Sequence, residues 1–69
     1  MPFYEALKFL MSTTNTKIKR IGWDNRYHLA KLYDYTCERY IINLIDNNKA
    51  TAYIPRPDDL ASEDWVIVV

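Results

Sequence analysis

The sequence predicts an α+β domain, with one N-terminal helix packed on a small antiparallel sheet of about five strands. Two observations predict it. An apolar stripe at helical spacing appears only at the start. Short β-rich runs separated by turn residues fill the rest.

The helix comes first. Pro2 suits a first turn, because the N–H it lacks would be unpaired there anyway. Phe3, Ala6, Leu7, Leu10 and Met11 then form one apolar stripe. Glu5 favours the positive end of the helix dipole. "STTN" should end the helix, and Asn15 suits a left-handed backbone.

The strands follow. "KIKRIGW" reads as a short strand running into a corner. "RYHLAKLY" alternates, with Tyr27, Leu29 and Tyr33 on one side and His28, Ala30 and Leu32 on the other. "RYIINLI" is β-rich, and Asn47–Asn48 predicts a tight hairpin into "ATAYIP". Pro55 and Pro57 close that strand. "RPDDLASED" reads as a turn or a single helical turn, with Asp58 or Asp59 as its cap. "DWVIVV" is the last strand, with Trp65, Ile67 and Val69 on one face and Val66 and Val68 on the other. No internal repeat, linker or low-complexity tract interrupts residues 1–69, which form one domain.

Composition bounds the function. About half of the 69 residues are hydrophobic (49%), so the chain folds rather than staying disordered. Nine basic residues balance nine acidic ones, which argues against a partner such as DNA or RNA held by a broad basic field. A domain this small needs a staple, and one cysteine, Cys37, allows no internal disulfide. Cys37 and His28 do not make a structural zinc site. Oligomerisation remains. It also answers a second need, because the strands are apolar on both faces and one helix covers only one. The N-terminus is too short and too charged for a signal peptide, and no run approaches a membrane span. The expected setting is a reducing cytoplasm.

No catalytic constellation stands out. Cys37 and His28 sit in ordinary β-like sequence, the acidic cluster Asp58, Asp59, Glu63 and Asp64 reads as a solvated turn, and no cofactor motif is present. The informative feature is the corner "RIGWDN". It joins the only glycine, Gly22, to one of two tryptophans, Trp23. Gly22 lets the backbone turn or a ligand approach. Trp23 offers a flat face, with Arg20 and Arg26 nearby and Asp24–Asn25 following. Such a set suits a nucleobase joined to phosphates. Lys19 and Arg56 are further phosphate candidates.

Three motifs share their order with one family. "FYEALKFL" (Phe3–Leu10), "IKRIGWDN" (Ile18–Asn25) and "DDLASEDWVIVV" (Asp58–Val69) resemble the opening helix, the Gly-Trp corner and the acidic-Trp close of the phage Thoeris anti-defence family of the second type. The ending is the most specific of the three. "MSTTNTK" departs from the family's glycine-and-lysine turn, and "YDYTCERYIIN" carries no family motif. The resemblance implies a helix on a small antiparallel sheet, assembled as a homo-oligomer, typically a tetramer. It implies a sponge in the cytoplasm of the infected bacterium. Such proteins hold a cyclic nucleotide signal of glycocyclic ADP-ribose type between protomers without cleaving it, and some members take cyclic dinucleotides. It places Trp23 and Trp65 at the ligand, with Gly22, Asp24, Asn25, Arg20, Arg26, Asp64 and Phe3 around them. The competing readings are a protein-interaction inhibitor of an immune effector, as in anti-CRISPR relatives, and an enzyme that degrades the signal.

Overall fold

The computed structural model describes residues 1–68. Its elements are α1 (Phe3–Ser12), β1 (Lys17–Arg20), β2 (Tyr27–Asp34), β3 (Arg39–Asp46), β4 (Lys49–Ala52), α2 (Pro57–Ala61) and β5 (Trp65–Val68). The five strands form one sheet in the order β4-β3-β2-β1-β5, and every pairing is antiparallel. The expected α+β class is the observed one.

The helical stripe works as read for Phe3, Ala6 and Leu10, which are buried. Leu7 packs at the margin of the core, and Met11 is exposed. The helix ends at Thr13, whose hydroxyl donates to Phe9 O at 2.8 Å. Asn15 takes the left-handed conformation at φ 59°, as its short polar side chain permits. Asn47 and Asn48 have φ 50° and 71°. Both central residues of the β3–β4 turn are therefore left-handed, the geometry a two-residue hairpin requires.

Register assigns the faces. Ile18 pairs with Leu29 and Ile67, and Leu29 pairs with Leu44. Paired residues point to one side, so these four share the core face. Trp65 and Arg20, paired with each other, lie on the same side. Both helices pack there: α1 lies over β5, β1 and β2 and touches α2. The core is Phe3, Ala6, Leu10, Ile18, Leu29 and Trp65. The opposite face carries Ala30, Leu32, Ile41, Ile45, Val66 and Val68, and no helix of the described residues covers it. His28 and Asn43 lie on that uncovered side and are nonetheless buried. In the last strand, the expected orientation of Val69 lies outside the described residues.

The helical turn at "RPDDLASED" exists, but its expected cap does not. Arg56 occupies the cap position and α2 has no side-chain cap bond. Asp59 turns inward instead of accepting from the free N–H groups. It is buried, and Tyr53 Oη donates to its Oδ2 at 3.1 Å.

Candidate functional site

Two consecutive turns fix the Gly-Trp corner. Trp23 N–H donates to Arg20 O at 3.0 Å, and Tyr27 N–H donates to Asp24 O at 2.9 Å. Asp24 Oδ1 accepts the Arg26 N–H at 2.9 Å, the local side-chain turn that aspartate favours. Lys19 Nζ donates to Trp23 O at 2.8 Å. The indole of Trp23 is half-buried. It meets Tyr27 edge-on at a centroid distance of 4.8 Å and Trp65 edge-on at 5.2 Å.

Trp23 and Tyr27 form a partition between two clefts. One, of about 430 Å³, is completed by Asp24, Arg26, Asp46 and Asn47. The other, of about 350 Å³, is completed by Leu44, Tyr53, Arg56 and Asp59, among others. The β3–β4 turn reaches the corner because Asn47 N–H donates to Arg26 O at 3.1 Å. Each cleft thus offers aromatic walls, an arginine and a carboxylate. That combination suits a planar ring carrying both anionic and hydroxyl groups.

The other expected site residues are placed differently. Trp65 is fully buried, 4.9 Å from Phe3 by ring centroids, and its indole N–H donates to Asp59 O at 2.9 Å. It backs the Trp23 ring from the core and lines neither cleft. Phe3 is likewise a core residue, away from the corner. Arg20 is committed to carboxylates: Nε lies 3.0 Å from Asp64 Oδ1 and Nη1 lies 3.4 Å from Asp59 Oδ1. That fork ties β1 to the α2–β5 segment and makes Arg20 and Asp64 positioning residues for the corner. Asn25 is exposed on the corner, and its carbonyl faces His28 Nδ1 at 3.3 Å. His28 lies near the start of β2 and Cys37 in the turn beyond its far end, so they do not form a pair. Tyr27, Tyr53, Leu44 and Asp46 are the cleft residues that sequence reasoning missed. Their strand patterns gave only a core or surface role, and only the register shows which of them meet Trp23.

Gly22 is not required by its own backbone. Its φ is not positive, and a Cβ built there meets nothing within 4 Å. Gly22→Ala should therefore fold at least as stably as the parent, by roughly 0.4–1 kcal/mol through the unfolded chain. A clear drop in melting temperature would contradict the open geometry. If a ligand approaches the backbone there, the same variant should bind it less well.

The carboxylates give a pH signature. The Arg20 guanidinium holds Asp64 below the usual carboxylate range. The Arg26 N–H does so for Asp24, and the Thr36 N–H for Asp34. A depressed folded pKa stabilises the fold above the unfolded value and is lost as pH falls through the folded one. Stability should therefore decline only below about pH 4. Asp64→Asn should flatten part of that acid limb in melts across pH, and an unchanged limb would remove Arg20–Asp64 from the account. Burial, with Asp59 second, pushes the Tyr53 phenol well above its ordinary range, so it stays a donor at every physiological pH.

Fold and corner together define a class: a small domain with one sheet, both helices on one side of it, and aromatic clefts at the open end of the helix-covered face. The chain belongs to the Thoeris anti-defense 2-like family, since the model of that domain, called Tad2-like, matches residues 1–68. The match covers all three motifs, apart from Val69, and confirms the resemblance read from them. It assigns the chain to Thoeris anti-defence. No curated protein matches the chain. No helix among the described residues is long and apolar enough to cross a membrane.

Proposed function

We propose that the protein binds and sequesters a cyclic nucleotide immune signal of glycocyclic ADP-ribose type, or a cyclic dinucleotide, and releases it unchanged. The observation that carries this reading is the half-buried Trp23 ring, held edge-on by Trp65 and Tyr27 between two clefts. A ring so braced can stack on a base without losing further freedom, which is the economy of a preorganised site. Arg26 and Arg56 are the cations best placed for phosphate, because each lines one of the clefts, although Arg26 first gives up an exposed pair with Asp24 at 3.4 Å. Arg20 is held by Asp59 and Asp64, and Lys19 by the Trp23 carbonyl. Hydroxyl groups of the ligand would find acceptors at Asp24 or Asp59.

Calorimetric titration with cyclic ADP-ribose isomers and cyclic dinucleotides tests the reading, followed by heating and chromatography of the released ligand. Intact ligand in stoichiometric yield supports a sponge. Conversion to a linear product would make the protein an enzyme. Binding of none of these ligands would leave the reading without its substrate class.

The functional unit in this reading is a homo-oligomer, with a tetramer favoured by the family. The uncovered apolar sheet face supports it, since a second copy is the simplest cover for Leu32, Ile41, Ile45, Val66 and Val68. Both clefts are open grooves that a neighbouring protomer could close. Equilibrium sedimentation should show a species larger than the monomer at micromolar concentration, and a stable monomer would overturn this part.

A further inference from the structure

β3 is eight residues long, yet β4 pairs only with its second half, from Asn43↔Ala52 to Asp46↔Lys49. The chain then leaves the sheet. Tyr53 N–H still reaches Ile42 O at 3.4 Å. Pro55, two residues on, has no N–H and a fixed φ, so the strand cannot continue. In a strand, alternate residues direct both backbone groups to the same edge. Ile42 faces the β4 side, and Tyr40 therefore does too, with no strand beside it. The far edge of the sheet differs, because Met1 takes the N–H and C=O of Trp65 there.

Next to this half-edge lies a cleft of about 350 Å³, walled by Phe3, Leu7, Tyr40, Ile42, Tyr53 and Pro55. Arg39 also lines it, and no carboxylate does. Arg39 has no ion pair among the described residues. Around the cleft the surface is unusually aromatic. Tyr40 is 54% exposed and Tyr35 85% exposed. Tyr33 joins them edge-on at 5.1 and 4.8 Å, and Lys31 Nζ sits 5.0 Å from the Tyr40 ring centre. Exposed tyrosines with arginine beside an apolar pocket are the composition of a protein-binding surface.

We propose that Arg39–Ile42 is a docking strip for an extended, acidic segment of a partner protein. The segment adds as a short strand, exchanges hydrogen bonds with the outward N–H and C=O of Tyr40, and sets one apolar side chain in the cleft. A carboxylate of the segment meets Arg39. Main-chain bonds supply the attachment, and the alternating side chains supply the choice of partner. A second copy of this chain fits less well. It brings the same Arg39 and Lys31 to a cleft that no carboxylate lines, and its β4 already occupies the edge beyond Ile42. This strip lies apart from the Trp23 corner and does not depend on the nucleotide reading.

The probe is a blocked pentapeptide of valine, glutamate, phenylalanine, glutamate and valine, whose phenylalanine faces the cleft while its glutamates face the Arg39 side, added to the full chain and followed by amide hydrogen exchange. Exchange at the Tyr40 amide should slow by about tenfold or more at saturation, the effect of one bond formed. A peptide N-methylated at its central residue should bind about tenfold more weakly, with the protein unaltered. A peptide with lysines in place of the glutamates should also bind more weakly, as should Tyr40→Pro, which an edge position tolerates. Equal binding of the N-methylated peptide would overturn strand addition. Protection of Tyr40 that grows with protein concentration and ignores the peptide would assign the edge to a second copy and overturn the partner segment.

Discussion

Trp65→Ala is expected to leave little folded protein. The ring is fully buried and contacts Phe3 and Trp23, and its N–H closes on Asp59 O. Truncating a buried tryptophan costs about 3–5 kcal/mol. A chain of this size has roughly 3–10 kcal/mol in all, at about 0.05–0.15 kcal/mol per residue. Circular dichroism melts should therefore show a lost or very low transition. Trp65→Phe separates packing from hydrogen bonding, because it keeps a ring but strands the Asp59 carbonyl, at about 1–3 kcal/mol. If Trp65→Ala melts like the parent, the core has been misassigned. A folded Trp65→Phe that binds ligand normally would confirm that this indole supports the corner from behind.

Trp23→Ala should do the reverse, sparing the fold and removing the binding. Base–aromatic stacking contributes about 1–3 kcal/mol, so calorimetry should show affinity lower by roughly one to two powers of ten. The ring is half-buried, and its removal should cost only about 1–2 kcal/mol of stability, well short of a full burial. Trp23→Phe should recover part of the affinity by restoring a flat face. Neutralising Arg56 or Arg26 should reduce the salt dependence of binding, whereas Arg20→Gln should act first on stability through its lost fork to Asp59 and Asp64. A folded Trp23→Ala protein that binds every tested cyclic nucleotide as tightly as the parent would end the stacking proposal.

The contrast between these residues shows where sequence reading reaches and where it stops. Local chemistry was legible. The stripe Phe3–Ala6–Leu10, the break at Asn15 and the Asn47–Asn48 turn each depend on neighbours within a few positions. Trp23 was legible as a corner residue because glycine, aspartate and asparagine surround it. The role of Trp65 was open, since strand alternation serves a core and a pocket equally well. Asp59 was misread as a cap because its partners, Arg20, Tyr53 and Trp65, are brought together only by the folded sheet. The clefts depend on register in the same way: Tyr27 pairs opposite Asp46, and no local pattern states that pairing.

The strand order has a consequence for how the molecule assembles. β1 lies between β2, which follows it, and β5, which comes last. Local hairpins can close β2 on β3 and β3 on β4 early, because those loops are short. The β1–β5 ladder must wait for the two ends of the chain to meet, and such long closures slow folding. Until then Ile18 and the unpaired edge of β1 are open to other chains, which makes the late step the one most exposed to aggregation. The Arg20–Asp64 fork joins the same two segments. Its removal should therefore be felt in the rate of this final closure as well as in the equilibrium, and synthesis at low temperature should favour the folded yield of such variants.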